Sequence, residues 1–297
     1  MNVLVCGGSG QVGLELLRQQ WRSDVRLVAP ARRELDLGDD ASISEVFRNR
    51  SFAAVVNAAA YTAVDAAQQE VSQAWRINAV APALLAYETG RLGIPLIHVS
   101  TDYVFDGTSD RPYVPADPVA PLNVYGASKE GGEQGVRTGN QRHVIIRTAW
   151  VVSPHRKNFV KTMLHLANER DLVRVVDDQA GCPTSASDLA AAVRAVVMRQ
   201  LAGNGACGTY HFVNRGITTW FRFAEAIMRG ASRRGHRAVP VEPVATAAYP
   251  TAARRPMNSA LSTETLARDY QVAPRPWEQA IDEVLDRLIS PMARAET

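Results

Sequence analysis

Residues 3–13 read Val3-Leu4-Val5-Cys6-Gly7-Gly8-Ser9-Gly10-Gln11-Val12-Gly13, a short apolar run followed by glycines spaced three residues apart. The run predicts a buried β-strand, and the glycines fall at the turn into the first helix. In such a turn Gly7 allows a tight bend, Gly10 lets backbone N–H groups approach a pyrophosphate, and Gly13 lets the helix pack closely on the strand. The stretch therefore predicts a dinucleotide-binding turn, and a glycine-rich turn without a ligand is the alternative.

The first half of the chain alternates short apolar runs with helical patterns. We predict strands at 3–6, 25–29, 54–57, 96–100 and 144–147, and helices at 11–20, 41–48, 66–89 and 127–137. Nearly continuous apolar strands separated by helices are typical of parallel βαβ units. The expected fold is α/β, with a Rossmann-type doubly wound parallel sheet over residues 1–150 that binds NADP. Residues 151–297 are expected to form mainly a smaller substrate-binding lobe, with some later segments returning to the sheet.

Composition limits the possible functions. The chain has 297 residues, of which 46% are hydrophobic, as is usual for a folded globular protein. Its 33 basic and 30 acidic residues leave a charge of +3, which is too small to indicate nucleic-acid binding. The apolar stretches are too short for a membrane span or a signal peptide, and the three cysteines show no metal-ligand spacing. We expect a cytoplasmic protein without a membrane partner.

Lysine is rare in this chain, so the position of each lysine is informative. Only Lys129, Lys157 and Lys161 occur among the 33 basic residues. Lys129 follows Tyr125 by four residues, which places the phenol and the ammonium on one helix face. A nearby cation is expected to lower the pKa of the phenol and so make it a usable proton donor. By itself the pair could equally be an exposed amphipathic pair.

Two further segments strengthen the prediction of a nucleotide-dependent enzyme. Thr101 and Asp102 directly follow the apolar run 96–100, at the carboxyl end of a predicted central strand, where open α/β sheets bind ligands. At that position the Thr101 hydroxyl could donate a hydrogen bond to the carbonyl oxygen of a substrate, the same oxygen that Tyr125 would protonate. Arg32 follows the second strand and could bind the 2′-phosphate of NADP, although an ordinary surface arginine is the alternative and Asp36 lies close by.

Five segments together resemble the extended short-chain dehydrogenase/reductases, and within them the family that reduces dTDP-4-dehydro-L-rhamnose. These segments are the glycine turn at 7–13, NAAAYTAVD at 57–65, STDYVFDG at 100–107, YGASK at 125–129 and DQAGCPT at 178–184. The resemblance implies NADPH-dependent reduction of the C4 keto group to give dTDP-L-rhamnose, a precursor of cell-surface polysaccharide. NADH remains possible as the cofactor.

The resemblance also implies a role for individual residues. The catalytic set is Thr101, Tyr125 and Lys129, and Thr101, Asp102 and Trp150 are expected to contact the sugar nucleotide. The residues expected along the cofactor are Gly7, Gly10, Gln11, Val12, Gly13, Arg32, Asp36, Leu37, Ala60, Tyr61, Thr62, Tyr125 and Lys129.

Some features depart from the family, and the alternatives stay open. Some members are magnesium-linked dimers through carboxylates, but Ser187 and Ile289 stand where partners of Glu15 would be expected, so we assign no metal site. The chain could be a monomer or a homodimer. A related 4-ketoreductase of another deoxysugar and a non-catalytic NADP-binding regulatory subunit are alternative functions. A 4,6-dehydratase or 4-epimerase is less consistent, because Tyr103 stands where a dehydratase has a second carboxylate.

Overall fold

The computed structural model describes residues 1–289; residues 290–297, the end of the predicted lobe, lie outside the described residues. The strands are β1 Asn2–Cys6, β2 Arg26–Val28, β3 Ala54–Asn57, β4 Leu96–Thr101, β5 His143–Thr148, β6 Val151–Val152, β7 Val173–Val176, β8 Ala180–Gly181, β9 Thr184–Ser185, β10 Gly208–His211, β11 Thr218–Thr219 and β12 Val241–Val244. The helices are α1 Gln11–Arg18, α2 Asp40–Asn49, α3 Val71–Trp75, α4 Ala81–Arg91, α5 Val124–Gly139, α6 Phe159–Glu169, α7 Ala186–Leu201, α8 Trp220–Arg233, α9 Glu264–Tyr270 and α10 Trp277–Ile289.

Six strands form one sheet in the order β10-β5-β4-β3-β1-β2, and all its neighbouring strands are parallel. The predicted doubly wound parallel sheet is therefore confirmed. The chain moves outward from β1 to β2 and then returns to β3 on the other side of β1. This change of direction opens a crevice at the carboxyl ends of β1 and β3, where α/β folds bind nucleotides.

The sheet differs from the predicted one at one edge. Strand β10 pairs in parallel with β5, with Gly208 opposite Val144 and His211 opposite Arg147. Its sequence, Gly-Thr-Tyr-His, carries none of the β-branched aliphatic residues that mark the other strands, so apolar patterning did not predict it. The second half of the chain thus contributes a strand to the six-stranded sheet.

The predicted helix 66–89 is also interrupted in the structure. A 3-10 turn at Ala66–Gln68 precedes α3, and a π-helical segment at Arg76–Val80 joins α3 to α4. Pro82, in the first turn of α4, lacks the N–H that would bond the Asn78 carbonyl in a regular helix. A Cβ on Gly132 of α5 would lie only 2.0 Å from that carbonyl oxygen, so α5 packs closely against the π segment. Proline and close packing together explain the irregular turn.

Both faces of the sheet are covered, and the second half adds a core of its own. One apolar cluster lies between the sheet and α1, α7 and α9, and another lies between the opposite face and α2, α4 and α5. A third cluster joins α6, α8 and α10 with β7. Within residues 1–289, no helix has the combined length and apolarity needed to cross a bilayer.

Candidate active site

The glycine turn between β1 and α1 has the geometry that its spacing predicts. Gly7 has a φ of 80°, and a Cβ there would lie 2.7 Å from the Ala59 nitrogen. A Cβ on Gly13 would lie 2.1 Å from the Gly7 carbonyl oxygen, so both positions exclude larger residues. Gly10 caps α1 without a side chain, which leaves the first N–H groups of the helix free of a side-chain acceptor. Such a helix start attracts a phosphate group.

A cavity of about 520 Å³ lies over this turn. Its walls include every predicted cofactor residue except Gly13, which packs behind the turn; these residues are Gly7, Gly10, Gln11, Val12, Arg32, Asp36, Leu37, Ala60, Tyr61, Thr62, Tyr125 and Lys129. A long cleft that joins a free helix N-terminus to a phenol and an ammonium fits an extended dinucleotide. The individual roles of these residues remain predictions.

Arg32 and Gln11 are held in different ways within this cavity. Arg32 is exposed, and its Nε lies 3.5 Å from Asp36 Oδ2, so its guanidinium remains accessible at the end of β2. The Gln11 side chain is engaged internally, because its Oε1 accepts hydrogen bonds from Ser153 (2.7 Å) and from Asn158 (3.0 Å). Gln11 thus ties the loop after β6 to the first turn of α1.

Thr101 and Asp102 are buried at the carboxyl end of β4, beside the half-buried Tyr125 of the cavity wall. The Thr101 hydroxyl donates to Asp102 Oδ1 at 2.9 Å, and the other carboxylate oxygen has no hydrogen-bond partner among the described residues. Burial raises the pKa of Asp102 to about 6. Burial also raises the pKa of Tyr125 to about 12, while a hydrogen bond with Thr101 acts in the opposite direction.

The predicted lowering of the Tyr125 pKa by a neighbouring cation is therefore wrong for this structure. Desolvation outweighs the other influences on the phenol, and the charge of Asp102 raises its pKa further. The Lys129 ammonium instead donates to the Val99 carbonyl at 2.7 Å. Tyr125 is therefore protonated at neutral pH in this structure.

Lys129 is 2% exposed and lies against a second buried titratable group, His98. Burial lowers the pKa of Lys129 to about 8 and holds the pKa of His98 well below its usual value. Asn57 Oδ1 accepts from the Ala59 N–H, so the Asn57 amide donates from Nδ2 to His98 Nδ1 at 3.2 Å. We therefore assign the ring proton of His98 to Nε2, which lies 3.5 Å from the Lys129 Nζ.

One helical turn beyond Lys129, Glu133 anchors α5 beneath the sheet. Its carboxylate is fully buried and accepts from Arg147 Nε (2.9 Å) and Nη2 (2.7 Å) and from the Ser100 hydroxyl. The hydrogen bonds and the positive charge of Arg147 hold the pKa of Glu133 below its usual value despite its burial. The pair fixes the register of α5 against β4 and β5, and so fixes where Tyr125 and Lys129 lie.

Comparison with known proteins identifies the family of this site. Residues 1–290 match the family described as RmlD substrate binding domain. The dTDP-4-dehydrorhamnose reductase of Burkholderia thailandensis is 41% identical to this chain, over 98% of the chain and 100% of the relative. The chain belongs to this family.

Solved structures of the RmlD family agree with the fold described above. The dTDP-4-dehydrorhamnose reductase of Clostridium acetobutylicum superposes with a TM-score of 0.91 at 34% identity, covering 97% of this chain and 99% of that chain. The reductase of Bacillus anthracis, solved in complex with NADP, gives a TM-score of 0.88 at 33% identity, covering 95% and 98% of the two chains.

Trp150, expected to contact the sugar, does not line the cavity. Its backbone is left-handed, with a φ of 47°, and its ring stacks on Trp220 with centroids 3.6 Å apart. Its other side is also covered, because a Cβ on Gly181 would lie 2.5 Å from the indole. Trp150 is thus packed inside an aromatic group that α6 and α8 complete, and a role against the sugar remains a prediction.

The magnesium site of some RmlD family members does not fit these residues. Glu15 is 2% exposed, and its Oε1 contacts Arg287 Nη1 at 2.7 Å and His155 Nε2 at 2.9 Å. An arginine therefore already supplies the positive charge at this carboxylate. Within residues 1–289, no group of three or more His, Cys, Asp or Glu side chains could hold a metal ion.

Sequence reasoning missed several residues of the cavity. Arg156 and Lys157 line it from the loop before α6, and Ser100 and Thr148 line it from the ends of β4 and β5. Lys157 carried a usable signal, because it is one of only three lysines in the chain. His98, which lies behind Lys129 and is not part of the cavity wall, carried none, since a histidine within an apolar strand gives no indication of what it faces.

Proposed function

We propose that this protein is an oxidoreductase that reduces the C4 keto group of dTDP-4-dehydro-L-rhamnose with NADPH to give dTDP-L-rhamnose. The observation that carries the proposal is the position of Tyr125 and Lys129 in the wall of the dinucleotide cavity, with the buried Thr101 beside Tyr125. Membership of the RmlD family and 41% identity to a dTDP-4-dehydrorhamnose reductase support the substrate. The cofactor is supported by the NADP complex of the Bacillus anthracis relative.

NADPH supplies the hydride, which adds to the C4 carbon, and the protein supplies the proton that the carbonyl oxygen then takes up. Tyr125 can fill this role because its phenol is protonated at neutral pH, although its raised pKa, about 12, makes it a weaker acid than a free phenol. A proton then passes from the phenol oxygen to the new alkoxide, so one hydride and one proton convert the ketone to an alcohol.

Thr101 and Lys129 position the reactants in this proposal. In this structure the Thr101 hydroxyl donates to Asp102. Once a substrate lies beside it, the hydroxyl rotates and donates to the keto oxygen instead. Lys129 binds the cofactor ribose, and its ammonium stabilises the negative phenolate that remains after the proton has left. Asp102 and Trp150 contribute to the sugar site, and residues 151–297 supply most of the remaining contacts with the sugar nucleotide, while residues 1–150 bind the cofactor. A cytoplasmic location and a monomeric or homodimeric state complete the proposal.

Turnover by Tyr125→Phe tests the proton transfer. We expect NADPH oxidation with dTDP-4-dehydro-L-rhamnose to fall about a hundred- to ten-thousand-fold, because the phenylalanine ring cannot donate a proton. Binding of NADPH, followed by its fluorescence, should remain. Tyr87→Phe, which changes an exposed tyrosine of α4, is the matched control and should turn over normally.

The identity of the product tests the substrate. The wild-type protein should form dTDP-L-rhamnose, identified by chromatography and NMR. NADPH binding without oxidation of this substrate, or faster reduction of a different 4-keto sugar nucleotide, would contradict the proposed function.

A further inference from the structure

Arg156 lies beside the glycine turn in an unusual backbone conformation. Its φ is 54°, in the left-handed region that non-glycine residues seldom adopt. Its Nε donates to the Ser9 carbonyl at 2.8 Å, directly between Gly8 and Gly10. The guanidinium therefore stands next to the N-terminus of α1, where the cavity is shaped for a phosphate group.

The loop that carries Arg156 is held against α1 by several hydrogen bonds. Ser153 and Asn158 both donate to Gln11 Oε1, and Asn158 also donates to the Ser153 carbonyl at 2.7 Å. These bonds fix both sides of residue 156 to the first residue of α1. The loop therefore holds the Arg156 guanidinium at a fixed position relative to the glycine turn.

The charge of Arg156 is not balanced by the protein. Within residues 1–289, neither Arg156 nor Lys157 forms a salt bridge with a carboxylate, although both line the cavity. Two unpaired cations over a free helix N-terminus favour a dianionic ligand, and a diphosphate bridge has that charge.

We propose that Arg156 binds the diphosphate of the dinucleotide from the side opposite α1, so that the diphosphate lies between the helix N-terminus and the guanidinium. The proposal rests on the cavity being the cofactor site and adds a residue that the glycine turn alone does not supply. Arg32, at the adenosine end of the cavity, is then left for the 2′-phosphate. Arg156 therefore contributes to the affinity for both cofactors, whereas Arg32 determines the preference for NADPH over NADH.

The variant Arg156→Gly tests this assignment without damage to the fold, because glycine adopts a positive φ readily. The thermal midpoint of unfolding should stay unchanged or rise. The dissociation constants of NADPH, NADH and ADP-ribose should each increase about tenfold, which corresponds to about 1.4 kcal/mol. Adenosine 2′-phosphate, which lacks a diphosphate, should bind as before in a competition assay.

Two control variants separate this effect from others. Gln271→Gly relieves the left-handed residue after α9, at a φ of 57°, and should leave every dissociation constant unchanged. Arg32→Ala should weaken NADPH and adenosine 2′-phosphate but not NADH. The salt dependence of NADH binding should decrease in Arg156→Gly, since one cation fewer meets the ligand.

The outcomes that overturn the inference are distinct from failure of the proposed function. Unchanged binding of ADP-ribose to Arg156→Gly would overturn it, and so would a loss confined to dTDP, which would assign Arg156 to the diphosphate of the sugar nucleotide. If the wild-type protein binds neither NADPH nor NADH, the proposed function itself fails.

Discussion

Replacing the buried Lys129 by methionine should make the protein more stable while it removes the proposed ribose contact. Burial lowers the pKa of Lys129 from 10.5 to about 8. Each pKa unit is worth about 1.4 kcal/mol, so keeping this ammonium charged inside the fold costs about 3 kcal/mol near neutral pH. Methionine has a similar length and no charge. It loses the hydrogen bond from the ammonium to the Val99 carbonyl, which contributes about 1.5–3 kcal/mol, so the net gain is at most about 2 kcal/mol.

The pH dependence of this difference has a definite sign. Between about 8 and 10.5 the unfolded chain holds a proton on Lys129 that the folded chain has already released. The stability of the wild-type protein relative to Lys129→Met therefore rises with pH across this window. The full free-energy cost of burying the Lys129 ammonium is present below about pH 8 and is absent above pH 10.5. The advantage of the variant should accordingly shrink and then reverse.

The free energy of unfolding in urea, followed by tryptophan fluorescence, measures the effect between about pH 7 and pH 10.5. Lys157→Met changes an exposed lysine and serves as the control, for which we expect a small difference that varies little with pH. A constant difference between wild type and Lys129→Met over the window would refute the reasoning, because it would mean that burial does not penalise the charge.

Other consequences of the structure can be measured directly. Gly13→Ala should destabilise the fold by several kcal/mol, since its Cβ would lie 2.1 Å from the Gly7 carbonyl oxygen. In Gly10→Ala the same distance is 3.3 Å, so this variant should unfold near the wild-type temperature but bind NADPH weakly. Equal melting temperatures for the two variants would contradict this. The pKa of Asp102 is raised to about 6, so wild-type stability relative to Asp102→Asn should fall as pH rises from 3.8 to 6, and parallel urea-unfolding curves would disprove it. Because Arg287 occupies the Glu15 carboxylate, EDTA should change neither the melting temperature nor NADPH oxidation, and restoration of activity by added Mg²⁺ would show the opposite.

The sheet could be predicted from the sequence because its central strands are nearly continuous apolar runs. Residues 54–57 and 96–100 carry that signal, and the structure places them side by side. The edge strand β10 could not be predicted, because Gly208 and Thr209 pair with β5 through backbone groups that no side-chain pattern reveals. The π segment after α3 depends on contact with Gly132, which is distant in sequence.

The candidate site, like the sheet, was predicted only in part from the sequence. Short spacings predicted which residues meet within one element, such as Tyr125 and Lys129 on α5. They could not predict the dielectric environment, so the pKa of Tyr125 was expected to fall and instead rises through burial. Arg156 was not predicted because it is 147 residues away from Ser9 in the sequence, and only the folded loop brings the two together.

The costs of burial at this site are linked to its proposed chemistry. Lys129 and Asp102 are buried and Tyr125 is half-buried at the cavity wall, and desolvation shifts the pKa of each toward the uncharged form. A single buried charge would be hard to retain, but the fully paired Glu133 and Arg147 hold α5 on the sheet and keep Lys129 where its ammonium can act. Because desolvation also strengthens every electrostatic contact in the cavity, the environment that destabilises the Lys129 ammonium makes its attraction to a newly formed phenolate stronger. The most stable form of this protein is therefore expected to be one that has lost Lys129 and with it the proposed reaction.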